Sequence, residues 1–149
     1  MPDIDIVSKL KTPEECATFE KNVTERGRPD LALAARKRAI ELRAQAHGAR
    51  TDAERECLEA IYAYEKVLSA NRGKHVKAAR TWQMIDRHGI LGAVERVVKR
   101  KDDASGFRAL MDMGLQEYAF EAVVLRHPTA FSPEAVQHSK ARLDAHQQA

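Results

Sequence analysis

Apolar residues recur every three to four positions in block after block of this chain, the spacing of one face of an α-helix. No block alternates with period two over the length of a strand, and the short run Val123-Val124-Leu125 sits inside a helical pattern. Start and stop signals divide the blocks. Thr12-Pro13-Glu14-Glu15 opens a helix: Thr12 can cap it, Pro13 suits the first helical position, and the acids meet the positive end of the dipole. That helix is expected to reach about Arg26 and stop at Gly27. Pro29 starts a second, ending near His47-Gly48, and Thr51 caps a third, ending near Asn71-Arg72-Gly73. A fourth spans about His75 to His88, Gly89 ends it, and a fifth covers about Ile90 to Lys101. Asp102-Asp103-Ala104-Ser105-Gly106 reads as a turn, and Phe107 to Met113 as a short helix closed by Gly114. Leu115 to His127 is apolar almost all round except for a stripe with Glu117 and Glu121, the mark of a helix at the centre of its domain. Pro128 stops it, and Ser132-Pro133-Glu134 starts the last helix. The fold class is therefore all-α, one domain of about seven helices over residues 1–149. Residues 12–70 are expected to form a helical hairpin layer, and 71–149 a basic helix pair with the C-terminal helices.

The second helix has two apolar groups, Leu31/Ala35/Ala39/Leu42 and Leu33/Ile40/Ala44, so it is expected to make contacts on both sides. The fragment RGRPDLALAARKRAIEL, through Gly27, Leu31, Ala39 and Leu42, resembles the second helix of a tetratricopeptide repeat. There is no second copy at that family's 34-residue period, so the resemblance implies a helical hairpin and no more. If one face of this helix is exposed, it offers a surface for a partner protein or a homodimer.

Composition narrows the picture. At 149 residues and 44% apolar, the chain can build a core without disulfides or metals. Aromatics are 5%, while Ala, Leu, Arg and Glu are abundant, which favours helices over strands. Cys16 and Cys57 have no CxxC spacing and read as small buried apolar residues of a reducing compartment. The start Met1-Pro2-Asp3-Ile4-Asp5 is acidic and no apolar run approaches 20 residues, so a cytoplasmic protein with no membrane partner is expected.

Net charge is only +3, but its distribution is uneven. Between Asn71 and Lys101 stand Arg72, Lys74, Lys77, Arg80, Arg87, Arg96, Lys99, Arg100 and Lys101, against Asp86 and Glu95 alone. On a helical wheel Ala78, Trp82 and Ile85 share one face, with Lys77, Arg80, Gln83 and Arg87 away from it. Ile90, Leu91, Val94, Val97 and Val98 make the apolar face of the next helix, opposite Arg96, Lys99 and Arg100, with Gly92 nearby to let a backbone approach a ligand. Helix, Gly89 turn and helix together resemble a helix-turn-helix, departing from it at Ile85, where a small residue is usual, and at Glu95, where an apolar one is. The charge pattern and this resemblance imply a nucleic-acid partner, DNA before RNA. Phosphate contacts would come from Lys74, Lys77, Arg80, Arg87, Lys99 and Arg100, with Arg96 and Gln83 over the bases. Acids at Glu54, Glu56, Glu59, Glu117 and Glu121 would turn the other face away from DNA. Trp82, the only tryptophan, reads as core; stacking on a base would need it exposed.

Little points to catalysis. Glu117 and Glu121 stand at i and i+4 with His127 after them, and converging in an open cleft they would suit a hydrolase acting on nucleic acid. The simpler reading pairs the two acids with Arg108, Arg126 or another arginine. None of His47, His75, His88, His127, His138 or His146 is at metal spacing with a cysteine, and no HExxH, GxGxxG or GxxxxGK[ST] occurs. Asp102-Asp103 reads as a loop or helix start. No catalytic residue, metal or cofactor is therefore expected.

Overall fold

The computed structural model describes residues 6–100 and 105–147, and every regular element among them is helical. No described helix is long and apolar enough to cross a membrane. The chain divides into two compact units, Met1–Gly48 and Ala49–Ala149. The long helix after Thr51 thus belongs with the C-terminal unit, and the division falls at Gly48, not near residue 70.

The first unit is a hairpin of α1 (Pro13–Glu25) and α2 (Pro29–His47). The Thr12 hydroxyl accepts from the Glu15 amide at 3.1 Å, as its capping position requires. Gly27 takes φ 73°, and the Arg28 amide donates to the Val23 carbonyl at 2.9 Å, closing α1. Phe19 and Val23 then pack on Leu31 and Ala32, and the Arg36 guanidinium reaches Glu20 at 2.8 Å across the hairpin. In α2, Leu31, Ala35 and Ala39 of one face and Ile40 and Ala44 of the other are buried, with Leu33 and Leu42 half-buried.

The second unit is built on α3 (Asp52–Arg72). Thr51 caps it by accepting from the Glu54 amide at 3.1 Å, and Gly73 ends it with φ 68°. Then come α4 (Ala79–Lys99), α5 (Ser105–Asp112), a 3-10 turn at Gln116–Tyr118, α6 (Phe120–Arg126), a second 3-10 turn at Pro128–Ala130, and α7 (Pro133–Gln147). Ser132 caps α7 by accepting from the Ala135 amide at 3.1 Å. Cys57 and Ala60 of α3, Val94 and Val98 of α4, and Val123 and Val124 of α6 meet Phe131 and Ala135 in one core. Val123 and Val124 have no exposed surface, which places α6 at the buried centre.

Three boundaries differ from the sequence pattern, the least of them at α5, which begins at Ser105 inside the stretch expected to turn. The helix expected over 115–127 is broken at Ala119, whose ψ of 143° ends the 3-10 turn before α6 begins. Arg126 holds that turn by donating to the Glu117 carbonyl at 3.0 Å. The helix expected from His75 begins only at Ala79, because side chains of α3 take the intervening amides: Ser69 Oγ accepts from Val76 N at 2.9 Å, and Glu65 Oε2 from Ala78 N at 2.9 Å.

Gly89 breaks α4 as its position predicts, with φ 79° and ψ 171°, a conformation essentially reserved for glycine. A straight helix of 21 residues would hold its ends about 30 Å apart. Here Arg80 near one end and Arg100 just past the other line the same cavity, so the two segments fold back toward each other. Gly89→Ala is expected to cost about 1–3 kcal/mol in urea unfolding. Gly106→Ala should be close to neutral, since its added methyl would meet Tyr64 at an ordinary 3.6 Å.

Candidate nucleic-acid interface

The basic segment is positioned by a buried carboxylate. Glu65, 4% exposed on α3, accepts through Oε2 from both the Ala78 amide (2.9 Å) and the Trp82 indole N–H (2.7 Å). Its negative charge lies at the start of α4, where the helix dipole favours it. The Trp82 ring packs on Tyr62 with centroids 5.3 Å apart and a tilt of 53°. Trp82 is thus a strut between α3 and α4, half-buried with its N–H engaged, and not a platform for bases.

Lys74 and Lys77, in the strapped connection, are exposed, as are Arg80, Gln83 and Arg87 on one face of the first segment of α4. Arg96 and Arg100 are exposed on and just after the second segment. Among the described residues, no carboxylate lies within ion-pair distance of Lys74, Lys77, Arg80, Arg87, Arg96 or Arg100. Lys99 differs: it is half-buried, 3.6 Å from Glu95 and 3.9 Å from Glu134. Lys101 lies outside the described residues.

The two departures from the helix-turn-helix pattern also find their place. Glu95 turns inward, its Oε1 accepting from the Ser132 amide at 2.7 Å at the start of α7. That bond, helped by Lys99, holds its carboxyl below the ordinary range despite some burial. Of the two acids in the segment, only Asp86 is exposed beside the cations. Ile85 is half-buried on the packed face. Gly92 is small for an internal reason: a Cβ there would lie 3.2 Å from the Cβ of His88, across the Gly89 turn.

Folding back also brings some cations together. Lys77, Arg80 and Arg100 line one cavity of about 520 Å³, and with them is Arg142 of α7, which sequence reasoning missed. The signal was there in outline: Ala135, Ser139 and Arg142 recur at helical spacing, and the first two are fully buried. Lys74, Gln83, Arg87, Arg96 and Lys99 do not line this cavity.

Glu117, Glu121 and His127 do not converge. Glu121, 8% exposed, accepts from Arg142 Nη1 at 3.2 Å and is alone of the three in lining the cavity. His127 Nε2 is 2.6 Å from Glu56 Oε2, whose other oxygen accepts from Arg126 Nε at 2.6 Å. For Glu121 the simpler sequence reading holds, with Arg142 as its arginine; Arg126 meets Glu117 at the backbone carbonyl. The acids expected to mark an opposing face are mostly spent internally: Glu54 accepts from the Arg50 amide, Glu59 from Arg55, Glu56 from Arg126 and His127, and Glu121 from Arg142. Cys16 and Cys57 are buried and form no disulfide; burial and the charges of Glu56 and Glu54 push the Cys57 thiol up to about 12, so it is inert. Among the described residues, no group of three or more His, Cys, Asp or Glu side chains could hold a metal ion. Asp102 and Asp103 lie outside them.

Glu65→Ala would strand the Ala78 amide and the Trp82 N–H. We expect a loss of about 1–3 kcal/mol and a red shift of the single-tryptophan emission, with Glu65→Gln, which keeps one acceptor oxygen, in between. Glu56 makes stability depend on pH. Burial raises its carboxyl, but the bonds from His127 and Arg126 outweigh that and hold it below its ordinary 4.5. A carboxyl lowered on folding stabilises above its unfolded value, and that share is lost as pH falls through the folded one. Urea titrations below pH 4.5 should therefore show a decline that Glu56→Gln reduces, the variant itself costing about 1–3 kcal/mol at pH 7. No protein-family model, curated protein or solved structure matches this chain.

Proposed function

We propose that this protein binds nucleic acid, double-stranded DNA in the first place, through phosphate contacts made by Lys74, Lys77, Arg80, Arg87 and Arg100. One observation carries the reading: these side chains are exposed, and among the described residues none has a carboxylate within ion-pair distance. Exposed cations clustered without internal partners are an electrostatic footprint for a polyanion. Base edges would be read by Arg96, exposed on the second segment, and by Gln83, exposed with Arg80 and Arg87 on the first. Lys99 contributes least, being half-buried beside Glu95 and Glu134. The mechanism is binding, with no chemical step.

The test is affinity for a random duplex over a salt series. The logarithm of the binding constant should fall steeply with the logarithm of salt concentration. A Lys77/Arg80/Arg87→Ala variant should flatten that slope by about 0.9 for each phosphate contact removed. Lys99→Ala should change it little. An absence of binding at low salt, or a triple variant that behaves as the parent, would return these residues to the role of a solvated helix face. Duplex RNA as competitor separates the two nucleic acids.

A further inference from the structure

The cavity at the open end of the folded-back α4 has a wall and a rim of different chemistry. Tyr64 and Leu68 of α3, Phe107 and Leu110 of α5, and Phe120 of α6 supply apolar surface. Lys77, Arg80, Arg100 and Arg142 supply four cations, against one carboxylate, Glu121. The volume of about 520 Å³ falls within the range of small-molecule sites, which pair apolar walls with a few convergent polar groups.

Arg142 decides what such a site would take. Its side chain is 15% exposed, and its partners among the described residues, the Val97 carbonyl (3.3 Å) and Glu121 Oε2 (3.2 Å), both use Nη1. A guanidinium carries five N–H donors, so those on Nε and Nη2 have no protein acceptor among the described residues. Glu121 offsets one positive charge, and Lys77, Arg80 and Arg100 at the mouth are offset by no carboxylate among the described residues. A partly buried guanidinium with open donors beside aromatic rings suits a ligand that is anionic at one end and apolar at the other.

We infer that this cavity is a binding site for a small amphipathic anion, a carboxylate or phosphate on an acyl or aromatic body. Its head group sits between Arg142 and the rim cations, and its body lies against Phe107, Phe120 and Leu110. The site shares its rim cations Lys77, Arg80 and Arg100 with the nucleic-acid reading, but its deep cation and its apolar wall take no part in phosphate contact.

Calorimetric titration of the full chain with decanoate and with AMP, beside neutral decanol and adenosine, tests it. At least one anion should bind once per chain, with its neutral counterpart about tenfold weaker or more. Decanoate alone would identify an acyl ligand, and AMP alone a nucleotide. Ala79→Trp, at an exposed position lining the mouth, should abolish binding without touching the core, and Arg142→Gln should weaken it about tenfold or more if the variant's circular dichroism matches the parent's. Arg87→Ala/Arg96→Ala should leave it unchanged while weakening any binding to duplex DNA, so the two readings can fail separately. Neither anion binding below about 1 mM, neutral counterparts binding equally well, or Ala79→Trp binding as the parent does, would overturn the assignment.

Discussion

The placement of the basic segment depends on the buried carboxylate of Glu65. A carboxylate that is 4% exposed must be compensated, and here the compensation is the Ala78 amide and the Trp82 indole, both in the segment that follows α3. That requirement delays the start of α4 to Ala79 and holds residues 74–78 along α3. It also sets the rotation of the first segment: with Trp82 turned inward to Tyr62 and Glu65, Arg80, Gln83 and Arg87 must face outward. A buried acid thus determines where the exposed cations point.

The second feature is how the charges are divided. The carboxylates of the C-terminal unit are largely taken up by structure, capping helix starts as Glu54 and Glu95 do or pairing with arginines as Glu56, Glu59 and Glu121 do. The partly buried ones carry real energy, because leaving either partner unpaired would strand a desolvated charge. Apart from Lys99, the cations of 74–100 are different, with no ion pair among the described residues. Exposed side chains with no ion pair add little to folding, and even exposed pairs are worth only about 0–1 kcal/mol. Their clustering is therefore not explained by stability, which is the physical ground for giving them a partner outside the chain.

Gly89 links the two halves of this arrangement. Because its backbone is one that side chains disfavour, the chain reverses there without a loop, and cations twenty residues apart in sequence come to one mouth. Gly92 serves the same reversal by leaving room for His88. Turn geometry, and not ligand approach, accounts for both glycines.

Local chemistry settled much of this protein from its sequence alone. Threonine and serine caps at Thr12, Thr51 and Ser132, glycine stops at Gly27, Gly73 and Gly89, and 3.6-residue periodicity are near-neighbour effects, and they specified an all-α chain with nearly all its helix boundaries. The outward direction of Arg80, Gln83, Arg87 and Arg96 followed from the same periodicity. Tertiary structure decided what depends on partners distant in sequence. Glu65, thirteen residues before Ala78, shortened α4, and Arg142, far from the basic stretch, joined Arg80 and Arg100 at one cavity. Glu121 and His127, six residues apart, went to Arg142 and Glu56, which separated a constellation that spacing alone allowed. A helical wheel reports which way a side chain points, but a buried charge is satisfied by whatever the fold brings near it, and only the packed chain determines that.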